Sequence, residues 1–333
     1  MSYLVQPNFM VRIGILSTAH MHVWSYVTGV QQNPKAELVG VWDDDEERLI
    51  SFCSQTSTTP FSNRKELLNE CDAVIITSEN SRHAELAEIA AQAGKHILCE
   101  KPLVISEDQA DRMLKAVAKG GVKLMTAFPC RFSPAFEKLR ERVNTGEIGK
   151  IKGICATNRG KCPFGWFVEK DKSGGGSMID HVVHTADLLR VLLGEEVATV
   201  QAQIGNNMYG KDWEDTAMLT LDFPSGVFAT LDSSWSRPQS YKTWGDVMMN
   251  VVGENGVIEM NMFAQSIDVY SEDKHSAAGY GSNIDHSMVA AFVDSVANNT
   301  APPITGWDGV QAARVALGGY ESVMKGEPVA VRS

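Results

Sequence analysis

Two features of this chain combine residue types suited to proton transfer. Lys101 directly follows an apolar segment, and Asp180 and His184 are four residues apart. On a helix, residues at that spacing share one face. An aspartate beside a histidine can fix the tautomer of its ring and raise its basicity, and a lysine in a cleft can hydrogen-bond a hydroxyl or exchange its proton. These residues are therefore candidates for acid–base chemistry.

Each feature also has a structural explanation. A single lysine is more often a surface charge, and an isolated Asp180–His184 pair is often an ordinary hydrogen bond on a helix face. The catalytic interpretation requires Lys101 and His184 to serve the same substrate, although they are far apart in the sequence.

The elements that would carry Lys101 alternate between strand and helix. Apolar runs rich in β-branched residues predict strands at 11–16, 37–42, 73–77, 96–99 and 122–128, and helix-length segments separate them. This order is typical of an α/β fold with a doubly wound parallel sheet. Lys101 would then follow the C-terminal end of a strand, where such sheets bind their ligands.

The pattern changes after about residue 130. Residues 217–223 and 227–231 alternate between apolar and polar around Pro224-Ser225-Gly226, and residues 247–260 form a second hairpin pattern around Asn255-Gly256. The second half is therefore expected to be an α+β domain with a large, open, mostly antiparallel sheet. One face of that sheet must be covered by helices or by another subunit.

The turn after the first predicted strand has the position of a dinucleotide-binding turn but not its glycines. Residues 17–22 read Ser-Thr-Ala-His-Met-His where the usual pattern is Gly-x-Gly-x-x-Gly. Ala19 adds only a methyl group, whereas His22 replaces the glycine that allows close packing of helix and strand. Position alone makes Ser17, Ala19, His20 and Met21 candidates for cofactor binding.

Asp43 ends the second predicted strand, about 20 residues after the turn, which matches the acid that binds the adenosine ribose. A carboxylate there would repel a 2′-phosphate, and Arg48 lies too far into the next helix to be an obvious phosphate partner. The sequence therefore favours NAD over NADP. Alternatively, the acidic run from Asp43 to Asp45 only caps that helix.

Seven further motifs occur in a fixed order along the chain. They are Asn80 with His83, Glu100-Lys101-Pro102, Arg131-Phe132-Ser133-Pro134, Gly174-Gly175-Gly176 before Asp180 and His184, Glu214-Asp215-Thr216-Ala217, Phe223-Pro224-Ser225-Gly226 and Asp308-Gly309. With this combination the chain resembles the Gfo/Idh/MocA family of oxidoreductases, from about Val11 to Val331.

The resemblance implies an NAD(P)-binding Rossmann domain over residues 10–130. It also implies an α/β domain over residues 131–333 that binds substrate and forms homodimers or homotetramers through its sheet. The implied reaction is NAD(P)-dependent hydride transfer between the nicotinamide and a hydroxyl or keto carbon of a sugar, cyclitol or related polyol.

The resemblance also implies roles for individual residues. His184 would accept the hydroxyl proton, Lys101 would hydrogen-bond the same oxygen, and Asp180 would orient its neighbours. The expected cofactor-binding residues are Ser17, Ala19, His20, Met21, Asp43, Ser78, Asn80, His83 and Glu100. Candidates for packing against the sugar, or for the core, are Asn158, Trp166, Phe167 and Trp235.

The histidines allow a competing interpretation as a metal cluster. His20, His22, His181 and His184 could be ligands, but their spacing does not require a metal and no thiolate accompanies them. We predict no metal, with His20 or His22 hydrogen-bonding the pyrophosphate or the substrate.

Two other functions remain open at this stage. Tightly bound NAD could cycle internally during an elimination, hydrolysis or epimerisation, or the fold could serve as a non-catalytic ligand sensor.

Composition indicates the cellular compartment and excludes some classes of binding partner. The 333 residues are 44% hydrophobic and 21% charged, with a net charge of −11, which disfavours nucleic acid and anionic membranes as partners. Six scattered cysteines without a Cys-x-x-Cys pair suggest a reducing compartment. No apolar run is long enough to span a membrane and the start lacks a secretory signal pattern, so we expect a cytoplasmic protein.

Overall fold

The computed structural model describes residues 10–272, 275–279 and 281–332. The chain divides into two compact units. One contains the described residues up to Pro129 together with Ile284–Asp308, and the other contains Cys130–Asn283 together with the residues from Gly309 onward.

The segment Ile284–Asp308 corrects the predicted domain limits, which placed it in the second domain. Its helix packs on the helix that follows the first strand, where Gly29 has no Cβ and lets His286 and Val289 approach closely. Lys35 adds an ion pair to Asp294 at 2.7 Å. Packing between distant segments, which local sequence patterns do not encode, assigns this segment to the first unit.

The first unit alternates strands and helices as predicted. Its elements are β1 (Val11–Leu16), α1 (Val23–Gln31), β2 (Ala36–Trp42), α2 (Glu46–Thr56), α3 (Arg64–Glu70), β3 (Ala73–Ile76), α4 (His83–Gln92), β4 (His96–Cys99), α5 (Glu107–Gly120) and β5 (Leu124–Thr126), with α9 (Ile284–Ala297) from the later segment. Apart from Arg12 and the outward-facing residues of β2, most residues of these strands are buried, as expected when helices cover both faces of a parallel sheet.

The five strands form a parallel sheet in the order β2-β1-β3-β4-β5, which confirms the predicted α/β class. Pro60 adds a parallel bridge to Val41 at the outer edge of β2, and the close approach of Phe61 there is possible because Gly40 has no Cβ. With that bridge counted as a short strand, the order is that of a dinucleotide-binding sheet, whose ligands lie at the carboxyl ends of its strands.

The second unit is built on a mixed sheet. Its elements are α6 (Pro134–Asn144), β6 (Ile151–Thr157), α7 (Lys170–Ser173), α8 (Ser177–Leu193), β7 (Thr199–Gly205), β8 (Thr216–Asp222), β9 (Phe228–Asp232), β10 (Met248–Gly253), β11 (Val257–Asn261), β12 (Ser266–Tyr270), β13 (His275–Gly279), α10 (Gly306–Lys325, in this unit from Gly309) and β14 (Val329–Ala330).

Seven of these strands form one sheet in the order β11-β10-β6-β9-β8-β7-β14, and every neighbouring pair is antiparallel except β6 with β9. Burial alternates along β8 and β10, so one face of the sheet is packed and the other is open. On the packed side, α10 approaches the sheet and α8 closely, because Gly318 faces Val200 and Gly319 faces Met178 and Ala202. The predicted open, mostly antiparallel sheet is confirmed.

Among the residues that the structure describes, no helix is both long enough and apolar enough to cross a membrane.

Candidate active site

The turn after β1 replaces its glycines by a strained serine and internal hydrogen bonds. Ser17 takes a φ of +70°, a left-handed conformation that glycine adopts more easily. The N–H of Thr18 donates to Asp43, that of Ala19 to the Ser17 hydroxyl, and that of His20 to the carbonyl of Thr77. Three N–H groups of the turn are therefore already hydrogen-bonded within the first unit, whereas a glycine-rich turn offers such groups to a pyrophosphate.

Asp43 is the centre of this arrangement. Its carboxylate is buried and accepts the backbone N–H of Thr18 at 2.5 Å, the Thr18 hydroxyl at 2.8 Å and the N–H of Asp45 at 3.0 Å. Arg48 completes the set with two hydrogen bonds, at 3.0 and 2.6 Å. Burial alone would raise the pKa of Asp43, but the hydrogen bonds outweigh it and lower this pKa to about 2.

Arg48 was expected to lie too far into the next helix to be an obvious phosphate partner, and in the structure its guanidinium binds Asp43. Side chains on a helix point back toward its N-terminus, so Arg48 in the first turn of α2 reaches Asp43. A ribose hydroxyl bound by Asp43 would share the carboxylate with this guanidinium. The groups around it are the carboxylates of Asp43, Asp44, Asp45 and Glu79 against the guanidinium groups of Arg48 and Arg82, an excess of two negative charges that still disfavours a 2′-phosphate.

Two histidines of the turn meet the glutamate that ends β4. The Nδ1 of His22 lies 3.0 Å from Glu100 Oε1, and the Nδ1 of His20 lies 3.6 Å from the same oxygen. Glu100 and His20 are buried, whereas His22 is about one-third exposed. Burial opposes the charge on Glu100, yet His20, His22 and Lys101 hold its pKa well below the usual range. Burial lowers the pKa of His22, but the negative charge of Glu100 outweighs this, so the pKa is raised.

These three side chains also form a group whose ligand-type atoms lie within 4.8 Å of one another. The predicted grouping of four histidines is different, since Glu100 was not among those candidates. Our expectation of no metal stays a prediction, which elemental analysis of the purified protein would test.

The loop after β3 supports the segment that carries Lys101. His83 is buried, with its Nδ1 2.9 Å from the carbonyl oxygen of Pro102 and its Nε2 3.2 Å from that of Ser78. Burial lowers the pKa of His83, so the neutral ring donates from Nδ1 to the closer oxygen of Pro102. Ser78, Asn80 and Lys101 are also buried, and the Lys101 N–H donates to Glu100 at 2.9 Å. His83 thus holds the loop after β4 in place.

The start of α8 depends on a clamp around its glycines. Oε1 of Glu214 accepts both the N–H of Gly176 and the hydroxyl of Tyr320, each at 2.6 Å. The carbonyl of Glu214 accepts the N–H of Ser177 at 3.1 Å. A Cβ on Gly175 would collide with the Tyr320 hydroxyl, and one on Gly176 would collide with Glu214. The glycines are therefore required by close packing as well as by the turn.

Asp180 and His184 lie one turn apart on α8, as predicted. Asp180 is buried, and its Oδ2 accepts the indole N–H of Trp235 at 3.2 Å. The same oxygen lies 3.2 Å from Nε2 of His181. His184 is half-buried on a helix whose other central residues are buried. The neighbours of Asp180 in this unit thus include two side chains to which the sequence analysis gave no catalytic role.

Farther along α8, the buried carboxylate of Asp187 binds the guanidinium of Arg131 in a bidentate ion pair. The Arg131-Phe132-Ser133-Pro134 motif therefore anchors the helix that carries Asp180 and His184.

Of the candidate sugar contacts, Trp235 and Phe167 are buried within the second unit. The indole N–H of Trp235 is used in its hydrogen bond to Asp180. Asn158 is also buried, and its side-chain N–H donates to the carbonyl of Asp246 at 3.0 Å. Trp166 is partly exposed and stacks on Phe167 with a centroid distance of 3.8 Å.

Two protein-family models match this chain and show which family it belongs to. Residues 11–128 match the model described as an oxidoreductase family with an NAD-binding Rossmann fold, and residues 136–259 match the GFO/IDH/MocA C-terminal domain. The chain belongs to the Gfo/Idh/MocA family. The protein is thus an NAD-dependent oxidoreductase, and its first unit is the NAD-binding domain of that family.

Individual family members match along nearly the whole chain. The myo-inositol 2-dehydrogenase of Thermotoga maritima is 27% identical, covering 94% of this chain and 96% of its own. The scyllo-inositol 2-dehydrogenase (NAD⁺) of Bacillus subtilis is 28% identical, with coverages of 95% and 94%. The crystal structure of GenD2 from gentamicin A biosynthesis in complex with NAD has a TM-score of 0.87 at 21% identity and covers 97% of both chains, which shows a shared fold.

Proposed function

We propose that this Gfo/Idh/MocA protein transfers a hydride between NAD and the hydroxyl or keto carbon of a cyclitol, sugar or related polyol. The observation that carries the proposal is the clamped, glycine-rich start of α8, which fixes Asp180 and His184 one turn apart beside Trp235. Similarity to two inositol dehydrogenases supports a polyol as the substrate.

The first unit fits the cofactor. α1 begins directly after the turn and has no acidic residue in its first turn, so its positive end suits a pyrophosphate. Met21, Ser17 and Ala19 belong to that turn, and Ser78, Asn80 and Glu100 lie beyond the carboxyl ends of β3 and β4. Bound NAD would supply the acceptor for the hydride that leaves the carbinol carbon, and NADH would supply the hydride in the reverse direction.

The proton is handled by the protein. In oxidation, His184 takes the hydroxyl proton as the C–H bond breaks, and the O–H bond pair becomes part of the carbonyl. Lys101 donates a hydrogen bond to the same oxygen and offsets the negative charge that develops there. Asp180, held through Oδ2, orients its neighbours. Because Lys101 is buried, its ammonium acts in a medium of low dielectric, where charge stabilisation is stronger than in water.

The open face of the second sheet supports a homodimer or homotetramer. Phe228 and Met218 on this face are 52% and 55% exposed, and Val252 and Val257 of the neighbouring strands β10 and β11 are also exposed. These apolar side chains lie among polar ones such as Thr220 and Thr230 on the same face. Exposed large apolar side chains grouped on a sheet face often mark a contact with another protein surface. A second copy of this chain is the proposed cover.

The proposed location of the protein is the reducing cytoplasm, as the scattered cysteines of the sequence predict. All six cysteines lie in the described part of the chain and are free thiols. Cysteines that form no disulfides are typical of the cytoplasm, where thiols are kept reduced.

A substrate panel tests the function. Purified protein would be incubated with cyclitols, free sugars and glycosides, each with NAD or NADP, and followed by absorbance of the reduced nicotinamide. We expect reduction of NAD with at least one polyol and weaker activity with NADP. If the protein keeps NAD through purification and converts a substrate with no net NADH, the bound-cofactor alternative replaces this proposal.

A further inference from the structure

The ring of His181 makes two polar contacts that together require a proton. Its Nδ1 lies 2.7 Å from the carbonyl oxygen of Asn158, and its Nε2 lies 3.2 Å from Oδ2 of Asp180. A carbonyl oxygen can only accept, so Nδ1 carries a hydrogen. If the ring were neutral, Nε2 would then present a lone pair to a carboxylate in a buried place.

That arrangement is unfavourable unless a hydrogen lies between the two atoms. Both residues are nearly buried, with side-chain exposures of 5% and 8%, so water cannot screen the repulsion. The case differs from His83, whose Nε2 faces an uncharged carbonyl at 3.2 Å. Against a full carboxylate charge, the contact needs either an imidazolium or a carboxylic acid, and both place one hydrogen between Nε2 and Oδ2.

The surroundings hold the His181 ring in this orientation. A Cβ on Gly160 would collide with the ring Cε1, so the glycine makes the space in which the ring sits. Trp235 packs against the ring edge-on at a centroid distance of 6.5 Å and donates its own N–H to the same Oδ2. The space at position 181 therefore fits a planar imidazole ring whose two nitrogens each face an oxygen atom.

Four charged groups on the described neighbouring segments of this unit have partners of their own. Arg159 and Arg237 both bind Asp246. Asp215 accepts the backbone N–H groups of Met208 and Tyr209 at 3.0 and 2.8 Å.

Cys162 is another titratable group close to this pair. Burial and the carboxylates of Asp180 and Asp215 raise the pKa of its thiol to about 11, so it is neutral near pH 7. His181, by contrast, contacts the carboxylate of Asp180 directly through Nε2.

We propose that His181 is a positioning residue that keeps one proton in its contact with Asp180, so that the Asp180–His181 pair is electrically neutral during the reaction. Asp180 then orients its neighbours without adding a full negative charge one helical turn from His184. Such a charge would raise the pKa of His184, which strengthens the base but keeps the ring protonated over more of the pH range, so that less of the enzyme has His184 ready to accept a proton. The kinetic part of this inference rests on the proposed function, and the protonation state of the pair does not.

The first test observes the proton directly. The full-length protein would be labelled with ¹⁵N-histidine, and the ring nitrogens of His181 would be assigned by comparison with His181→Gln. We expect hydrogen on Nδ1 and a hydrogen shared between Nε2 and Asp180. A Nδ1 without hydrogen, or a Nε2 with no bridging hydrogen, would overturn the proposal whatever the substrate is.

The second test uses the pH dependence of polyol oxidation, with His181→Gln and His181→Phe compared. Without the ring, Oδ2 of Asp180 loses the hydrogen that it shares with Nε2, so less of the negative charge of Asp180 is offset and the acid limb of kcat/KM should move upward by about 1 pH unit in both variants. Gln can still donate an N–H to Asp180, so its rate on the plateau should stay within about 10-fold of the wild type, whereas Phe should lose more. A lower plateau with an unmoved acid limb in both variants would show a merely structural role and overturn the proposal.

Gly160→Ala provides an independent variant in which the ring is displaced but not removed. It should move the acid limb in the same direction. NAD binding and thermal unfolding of each variant show that the fold is retained. A folded Gly160→Ala protein with the wild-type pH profile would contradict the assignment.

Discussion

The hydroxyl of Tyr320 donates to Oε1 of Glu214 at 2.6 Å, and that oxygen also accepts the N–H of Gly176. A residue of α10 and one that precedes β8 thereby fix the turn from which α8 starts. Burial, followed by the charge of Glu214, raises the pKa of Tyr320 well above its usual value, so the hydroxyl remains a donor throughout the working pH range.

Tyr320→Phe should therefore loosen the start of α8. Losing a hydrogen bond to a charged acceptor should lower the free energy of unfolding by about 1.5–3 kcal/mol. It should also reduce kcat more than it changes NAD affinity, because the clamp belongs to the helix that carries Asp180 and His184. Urea unfolding and steady-state kinetics measure both effects. Tyr241→Phe, which keeps its ring under Arg237, is the matched control and should change neither quantity appreciably.

Asp43→Asn should weaken both the fold and cofactor binding. An amide cannot accept from both Thr18 and Arg48 as the carboxylate does, so we expect a loss on the order of 2 kcal/mol in unfolding free energy and weaker NADH binding. Asp44→Asn is the control, because its half-exposed ion pairs should contribute less than about 1 kcal/mol. Equal effects in the two variants would contradict a central role for Asp43.

The pH dependence of this site has a definite sign. Because folding lowers the pKa of Asp43 from 3.8 to about 2, its contribution to stability is complete above pH 3.8 and is lost as the pH falls toward 2. The stability difference between the wild type and Asp43→Asn should shrink over that window, as measured by urea unfolding at several pH values.

The surroundings of Asp43 also show which features of the structure the local sequence predicts. Strands such as Val11–Leu16 were predicted to the residue because buried parallel strands are continuous apolar runs. Asp43 directly follows β2, as the sequence predicts, whereas its binding to the adenosine ribose stays a prediction. Its bond to Arg48 was missed, although the tilt of side chains toward a helix N-terminus is a local signal that could have revealed it.

Other contacts had no local signal. His22 and Glu100 are 78 residues apart, and only the order of strands in the sheet brings them together. The same holds for Trp235 with Asp180 and for Tyr320 with Glu214. The left-handed φ of Ser17 likewise became evident only from the backbone.

The His22–Glu100 pair should make stability depend on pH in the opposite direction. Folding raises the pKa of His22, so its stabilising contribution is complete below pH 6.5 and is lost as the pH rises through the raised value. The difference in melting temperature between the wild type and His22→Gln should therefore be larger at pH 6 than at pH 9. His96, whose pKa is lowered by burial, should give the reverse trend in His96→Gln. A His22→Gln difference that grows with pH would contradict the pairing.

Charge placed on the open sheet face should disrupt the proposed oligomer. Phe228→Glu and Met218→Glu replace exposed apolar side chains of β9 and β8 by a carboxylate without touching the packed face. We expect light scattering after size-exclusion chromatography to show a smaller particle for each variant than for the wild type. Ile50→Glu, at an exposed position of α2, is the control and should leave the particle size unchanged. A wild-type protein that already runs as a monomer would contradict the proposed interface.

The catalytic assignment is tested most directly by turnover in Lys101→Ala and His184→Ala, each measured alongside NAD binding by the same protein sample. The assignment predicts that both variants bind NAD with an affinity close to that of the wild type and reduce it with a polyol at least about 100-fold more slowly. Near-normal rates in either variant, at unchanged NAD affinity, would show that the residue does not carry the proton chemistry.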